Sequence, residues 1–169
     1  LPMQLLWLNL LTDGLLGLGM GVEAPEAGTM SRPPYSPREG VFSRGAARQT
    51  VWTGLLIGGL GLGVGAWYYF GGRDNWQTMV FTSLAFAQIG QALAGRSNQT
   101  SVFQTGLRSN PLMIGMLLLV FTLQMSAVYL PPLQAFLYTS PLLPLDLLIA
   151  LGIGLVVLTA IELEKRFVR

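Results

Sequence analysis

Leu5-Leu6-Trp7-Leu8-Asn9-Leu10-Leu11-Thr12-Asp13-Gly14 decides how this chain is read. The stretch lies inside an apolar run from Leu1 to Val22 and could enter a bilayer, yet it carries a carboxylate near its centre. A charge at that depth costs about 2.5–3.5 kcal/mol even on mild insertion scales, so a chain that keeps one is expected to use it. Asn9, Thr12 and Asp13 stand at i, i+3 and i+4 and would share one face of an α-helix. Together they offer an amide oxygen, a hydroxyl and a carboxylate, a hard-oxygen set suited to Ca²⁺, Na⁺ or Mn²⁺ rather than a soft metal. The competing reading is a polar cluster that bonds neighbouring helices. The carboxylate favours the ion, because a buried Asp needs a cation, a proton or a basic partner. Gly14, with Gly17, Gly19 and Gly21 beyond it, predicts a local break beside Asp13 that frees backbone carbonyls.

Composition agrees with a membrane setting. Of 169 residues 51% are hydrophobic and only 11% charged, with a mean hydropathy of +0.53, whereas soluble domains carry about 25% charged residues. The chain lacks Cys, which removes disulfides and thiolate metal sites, and lacks His, which removes imidazole catalysis and ligation. A net charge of +2 from ten dispersed basic residues argues against nucleic acid as a partner. The apolar start is not a signal peptide: no positive region leads it, and Asp13 would sit in the signal's core. An opening Leu rather than Met suggests part of a longer protein, beginning just before a membrane helix.

The expected fold is all-α, a polytopic membrane bundle of five transmembrane helices over residues 1–169. A span needs about 20 apolar residues. Pro2–Val22, Val51–Phe70, Trp76–Ala94, Pro111–Leu130 and Pro144–Ile161 qualify, and no Lys or Arg lies inside any of them. With five spans, Arg32, Arg38, Arg44, Arg48, Arg96, Arg108, Lys165, Arg166 and Arg169 fall on one side and Arg73 alone on the other. Positive residues mark the cytoplasm. The chain is therefore expected to begin outside and end inside, in a bacterial-type plasma membrane. Residues 131–144 become an uncharged external loop, and 23–49 a cytoplasmic loop whose Arg32-Pro33-Pro34 could dock another domain. Asn98-Gln99-Thr100 fits a glycosylation sequon but falls on the cytoplasmic side.

Within the second span, Gly54/Gly58, Gly59/Gly63 and Gly61/Gly65 are small-xxx-small pairs that permit close helix packing. Trp67, Tyr68 and Tyr69 read as an aromatic belt at its outer end. Gln88 and Gln91, with Thr82 and Ser83, give the third span a polar face for interhelical bonds or for a ligand. Glu162 and Glu164 read as interfacial charges beside Lys165 and Arg166. Nothing supports a catalytic residue in this segment, and a Gly-rich phosphate loop with Lys is absent.

The run from Pro2 to Gly14, then Gly21-Val22-Glu23-Ala24-Pro25 and Met30-Ser31-Arg32-Pro33-Pro34, closely resembles the P-type cation ATPases. The match is to the calcium-pump branch, at its sixth membrane helix and the loop after it. It is specific over residues 2–34, looser around Thr78–Thr100 and topological beyond. Five helices then correspond to helices six to ten of a ten-helix membrane domain.

The resemblance implies that Asn9, Thr12 and Asp13 are transmembrane Ca²⁺ ligands and that the loop from Glu23 meets a phosphorylation domain. It implies a phosphoenzyme cycle driven by ATP with Mg²⁺, bound in cytoplasmic domains outside this chain. The partners implied are the N-terminal part of the same pump, with membrane helices one to five, and the lipid bilayer. The family's Asp-Lys-Thr-Gly-Thr motif is absent here. Gln88 aligns where two-site calcium pumps carry a Glu ligand. Gln keeps an oxygen without the charge, so one ion per cycle is expected. The alternatives are Mn²⁺ or Na⁺ as the pumped ion, a passive cation channel or secondary transporter using Asp13, and a purely structural membrane subunit.

Overall fold

The computed structural model describes residues 2–25, 40, 45–97, 101, 106 and 109–167. Its regular structure is helical, with no strand among the described residues. In chain order the elements are α1 (Pro2–Asn9), a π-helix π1 (Leu10–Leu16), α2 (Gly17–Gly21), α3 (Ala46–Phe70), α4 (Trp76–Ala94), α5 (Pro111–Tyr129), α6 (Pro131–Leu137) and α7 (Pro144–Phe167). The loop that carries Arg32-Pro33-Pro34, the Asn98-Gln99-Thr100 sequon and Arg169 lie outside the described residues.

Local sequence explains most helix ends. Asn110 caps α5: its side-chain oxygen accepts from the Met113 N–H at 2.9 Å, and Pro111, which has no N–H to satisfy, takes the first position. Gly45 enters α3 at φ 89°, and Gly72 turns α3 towards α4 at φ 68°, a region open to glycine. α6 departs from the expected external loop. Pro131 and Pro132 start this helix rather than prevent it, and Tyr138 stops it in a left-handed conformation at φ 54°. Its last residue, Leu137, is fully buried in one cluster with Leu8, Phe81, Ala85 and Ala127.

α4 is the central helix. Eleven of its 19 residues are buried, and it packs most extensively on α7. At that seam the backbones nearly touch. A Cβ added to Gly90 would collide with the Gly154 carbonyl, and one added to Gly154 would lie 2.6 Å from the Phe86 carbonyl oxygen. The glycine pairs of α3 are used less than their spacing suggests. Gly61 and Gly65 face Leu84 and Val80 of α4, whereas Gly54, Gly58, Gly59 and Gly63 face open space.

Three helices among the described residues, α3, α5 and α7, are long and apolar enough to cross a membrane. Exposed leucines along them, such as Leu55, Leu62, Leu118, Leu148 and Leu155, suit contact with lipid tails. α4 is not among the three, and its place in the bundle explains why. Its Thr78, Thr82 and Ser83 are buried among neighbouring helices, so that face has no need to be apolar.

Tyr68 corrects the aromatic belt. Trp67 and Tyr69 are exposed, but Tyr68 is only 1% exposed, and its hydroxyl donates to Asp146 Oδ1 at 2.6 Å. Arg73 Nη1 and Asn75 Nδ2 add bonds of 3.2 and 3.1 Å to the same carboxylate, and the Leu143 N–H closes the set at 3.2 Å. Asp146 thus knots the α3–α4 turn to the start of α7. Glu162 also departs from expectation. It is buried against Lys165 at 2.7 Å, and the Lys165 ammonium donates to the Ala94 carbonyl at the end of α4. Glu164 lies nearer the surface, 3.5 Å from Arg48.

Candidate functional site: the π-wound helix around Asp13

The helix does not break at Gly14. It widens instead: Leu10–Leu16 winds as a seven-residue π-helix between two α-helical pieces. Such turns are rare and gather at functional positions. Leu11 and Leu16 are each 2% exposed and hold the segment against Ala92 of α4 and Met113 and Val120 of α5. Gly14 and Gly17 have no neighbour where a Cβ would stand, so that side of the segment is open.

The wider winding separates the polar trio. Thr12 turns inward: it is 6% exposed, and its hydroxyl donates to the Leu8 carbonyl at 2.6 Å. Asn9 and Asp13 are exposed. Asp13 has no hydrogen-bond or ion-pair partner among the described residues, although its helix is packed on two others. The arrangement therefore offers a carboxylate and an amide on the open side and a hydroxyl held by the backbone behind them. Among the described residues no three His, Asp or Glu converge, so a hard cation here would rely on Asp13 as its nearest negative charge.

Gln88 lies on α4, half-buried, and its Oε1 has no hydrogen-bond partner among the described residues. Trp7 Nε1, on the helix that carries Asp13, is likewise buried and unpaired. A buried polar atom without a partner is costly; the Gln88 oxygen is suited to accept from a water or to face a cation, whereas the Trp7 N–H, a donor only, is suited to a water or another acceptor. Gln91 is exposed, and Thr82 receives a 3.4 Å bond from Gln124 of α5. The polar face of α4 is thus divided between interhelical bonding and two oxygens, Gln88 Oε1 and Ser83 Oγ, without a partner among the described residues.

Sequence reasoning passed over the C-terminal end of this helix. Arg96, 2% exposed at its side chain, grips Glu23 with two bonds: Nε to Oε2 at 2.9 Å and Nη2 to Oε1 at 2.7 Å. Asn110 Nδ2 donates to the Glu23 carboxylate and to the Gly19 carbonyl, both at 2.9 Å. The Arg96 and Asn110 bonds hold the Glu23 carboxyl below the usual carboxylate range against the opposing effect of burial. These partners lie 73 and 87 positions apart, beyond any periodicity. The available signal was Asn110-Pro111, a strong helix start that placed an amide at a packed junction.

A family model described as "Cation transporting ATPase, C-terminus" matches residues 1–167. A calcium-transporting ATPase of Bacillus subtilis (strain 168) is 35% identical over 156 residues, which cover 90% of this chain and 17% of that protein. The human calcium-transporting ATPase type 2C member 1 is 30% identical over 174 residues, covering 99% of this chain and 18% of that protein. A calcium-transporting ATPase of Listeria monocytogenes is 36% identical over 124 residues, 72% of this chain and 14% of that protein. The chain thus spans less than a fifth of the length of these curated relatives. With the family matched along almost its whole length and helices that suit a bilayer, this chain belongs to the cation-transporting ATPases, as a C-terminal segment.

Proposed function

We propose that this chain is the C-terminal transmembrane part of an ATP-driven pump that exports Ca²⁺, and that it supplies one side of the ion path. The α1–π1–α2 rod, α3, α4, α5 and α7 are its five spans. The chain starts outside, and its C-terminus lies in the cytoplasm of a bacterial-type plasma membrane. Arg73 is the basic residue that the positive-inside count leaves outside. ATP and Mg²⁺ act in parts of the pump beyond these 169 residues, which hold neither the phosphorylation motif nor a phosphate loop.

One observation carries this reading: an Asp13 carboxylate without a partner among the described residues, on the π-wound segment of an apolar helix. Transported Ca²⁺ would take oxygens from Asp13 and Asn9, with Thr12 joining once its hydroxyl leaves the Leu8 carbonyl, and would complete its shell from helices outside this chain. Gln88 brings an oxygen without charge, which supports one ion per cycle.

The test is Asp13→Asn in the full-length pump, reading Ca²⁺-dependent phosphorylation by ATP and Ca²⁺ transport. Loss of both is expected. Unchanged phosphorylation and transport would overturn the ligand assignment, and two Ca²⁺ per ATP would overturn the single-ion reading. Phosphorylation that responds to Mn²⁺ or Na⁺ and not to Ca²⁺ would keep the site and change its ion.

A further inference from the structure

Arg96 stands on the connection after α4, yet its bonds converge on the far end of another helix. The guanidinium holds both oxygens of Glu23, and it also donates to the Gly106 carbonyl at 3.1 Å and to Ser109 Oγ. The α4–α5 connector and the end of the Asp13-bearing helix thus share one planar hub, in which the Arg96 side chain is almost wholly removed from solvent. Asn110 completes it. Its amide nitrogen takes the Gly19 carbonyl, one of the last acceptors of α2 without an intrahelical partner, while its oxygen caps α5.

Packing reinforces these bonds. A Cβ on Gly19 would lie 2.7 Å from Met113 Sδ and 3.1 Å from the Met113 Cα, so α2 rests directly on the first turn of α5. The C-terminal end of the helix is thereby fixed in rotation and height by four polar bonds and a close contact. Between this anchor and Asp13 lies only the short stretch Gly14–Leu18, which includes the end of the π segment. A π turn is a local departure from α winding, so the azimuth of its side chains depends on how its ends are held. A buried ion pair is a poor source of stability but a good source of defined geometry.

We propose that Arg96 is a positioning residue for the cation site. Through Glu23 and Asn110 it sets the rotation of the helix that bears Asn9, Thr12 and Asp13, without touching the cation. This rests on the Ca²⁺ pump reading above. The planar fork matters as well as the charge, because Lys cannot bond both Glu23 oxygens and the connector at once.

The experiment uses the full-length pump in native membranes. For each variant the Ca²⁺ concentration giving half-maximal phosphorylation by ATP is compared with the maximal phosphoenzyme level and with thermal stability. Arg96→Gln is expected to raise the half-saturating Ca²⁺ by about 3- to 10-fold while most of the maximal level is kept. Arg96→Lys should fall between it and the parent, and the paired reversal Glu23→Arg with Arg96→Glu should recover part of the loss. Half-saturation within about twofold of the parent in Arg96→Gln, with only thermal stability lowered, would overturn the positioning role. If Arg96→Gln does not accumulate, Glu23→Gln, which keeps the shape and removes the charge, decides by the same criterion. A parent pump with no Ca²⁺-dependent phosphoenzyme would overturn the pump reading itself, an outcome distinct from an unshifted variant.

Discussion

The Tyr68 hydroxyl and Asp146 Oδ1 meet at 2.6 Å, joining the C-terminal end of α3 to the first turn of α7. Asp146 is 1% exposed, and every group around it donates: a phenol, a guanidinium, an amide and a backbone N–H. The Arg73 guanidinium also lies 4.6 Å over the Tyr68 ring. Tyr68→Phe leaves one acceptor position of a buried carboxylate empty, at a cost of about 1–3 kcal/mol. In the full-length protein we expect a lower thermal unfolding midpoint, with a larger drop for Asp146→Ala, which removes the centre of the knot. An unshifted midpoint for both would show that the knot contributes nothing to stability.

Gly90 and Gly154 give a sharper contrast. Either one changed to Ala drives a methyl into a facing carbonyl, and overpacking of this kind costs about 1–3 kcal/mol. Gly58→Ala, at an open position in the interior of α3, should be neutral or stabilise by about 0.5–1 kcal/mol. Detergent-solubilised variants ranked by melting midpoint check this order. Equal midpoints for Gly90→Ala and Gly58→Ala would contradict the close seam.

The order is instructive about what the chain discloses. Helices were legible because apolar runs are bounded by charges and prolines. The glycine spacing of α3 predicts it as the packing helix, yet the tight seam is between α4 and α7. There the small-xxx-small spacings Gly90/Ala94 and Ala150/Gly154 were also present but less dense. α6 escaped notice because a Pro pair reads as a stop, although Pro is at home in the first turn of a helix. Asn9, Thr12 and Asp13 were expected on one face from their spacing, but Thr12 is buried while Asn9 and Asp13 are exposed. Spacing presumes α winding, and this segment is a π-helix.

Glu23 makes a pH-dependent contribution of defined sign. Its carboxyl is held below the ordinary Glu value of about 4.3, first by the Arg96 hydrogen bonds. A depressed folded-state value stabilises fully above the unfolded value, and the gain is lost as pH falls through the folded value. The stability gap between the parent and Glu23→Gln should therefore be constant from about pH 6 upward and shrink below about pH 4.3. Thermal melts across that range measure it. A gap that widens on acidification would mean that Glu23 is not held as an anion.

Gln88 and Asp13 should separate in a Ca²⁺ binding titration of the full-length pump. Asp13→Asn removes the charge and is expected to abolish binding at the proposed single site. Gln88→Ala removes only a neutral oxygen and should weaken binding by about tenfold or less. Loss of binding in Gln88→Ala equal to that in Asp13→Asn would make Gln88 an essential ligand.

The seven π-wound residues have a mechanical consequence. Returning Leu10–Leu16 to α winding would twist one flank of the rod against the other. The N-terminal flank is held where Gln4 Nε2 donates to the Leu137 carbonyl at 3.0 Å, and the C-terminal flank where Gly19 is seated on Met113. A rod clamped at both ends cannot unwind in the middle alone. Any cycle that rewinds this segment must first let go at Gln4 or at Gly19, and the clamp that yields sets which half of the rod turns.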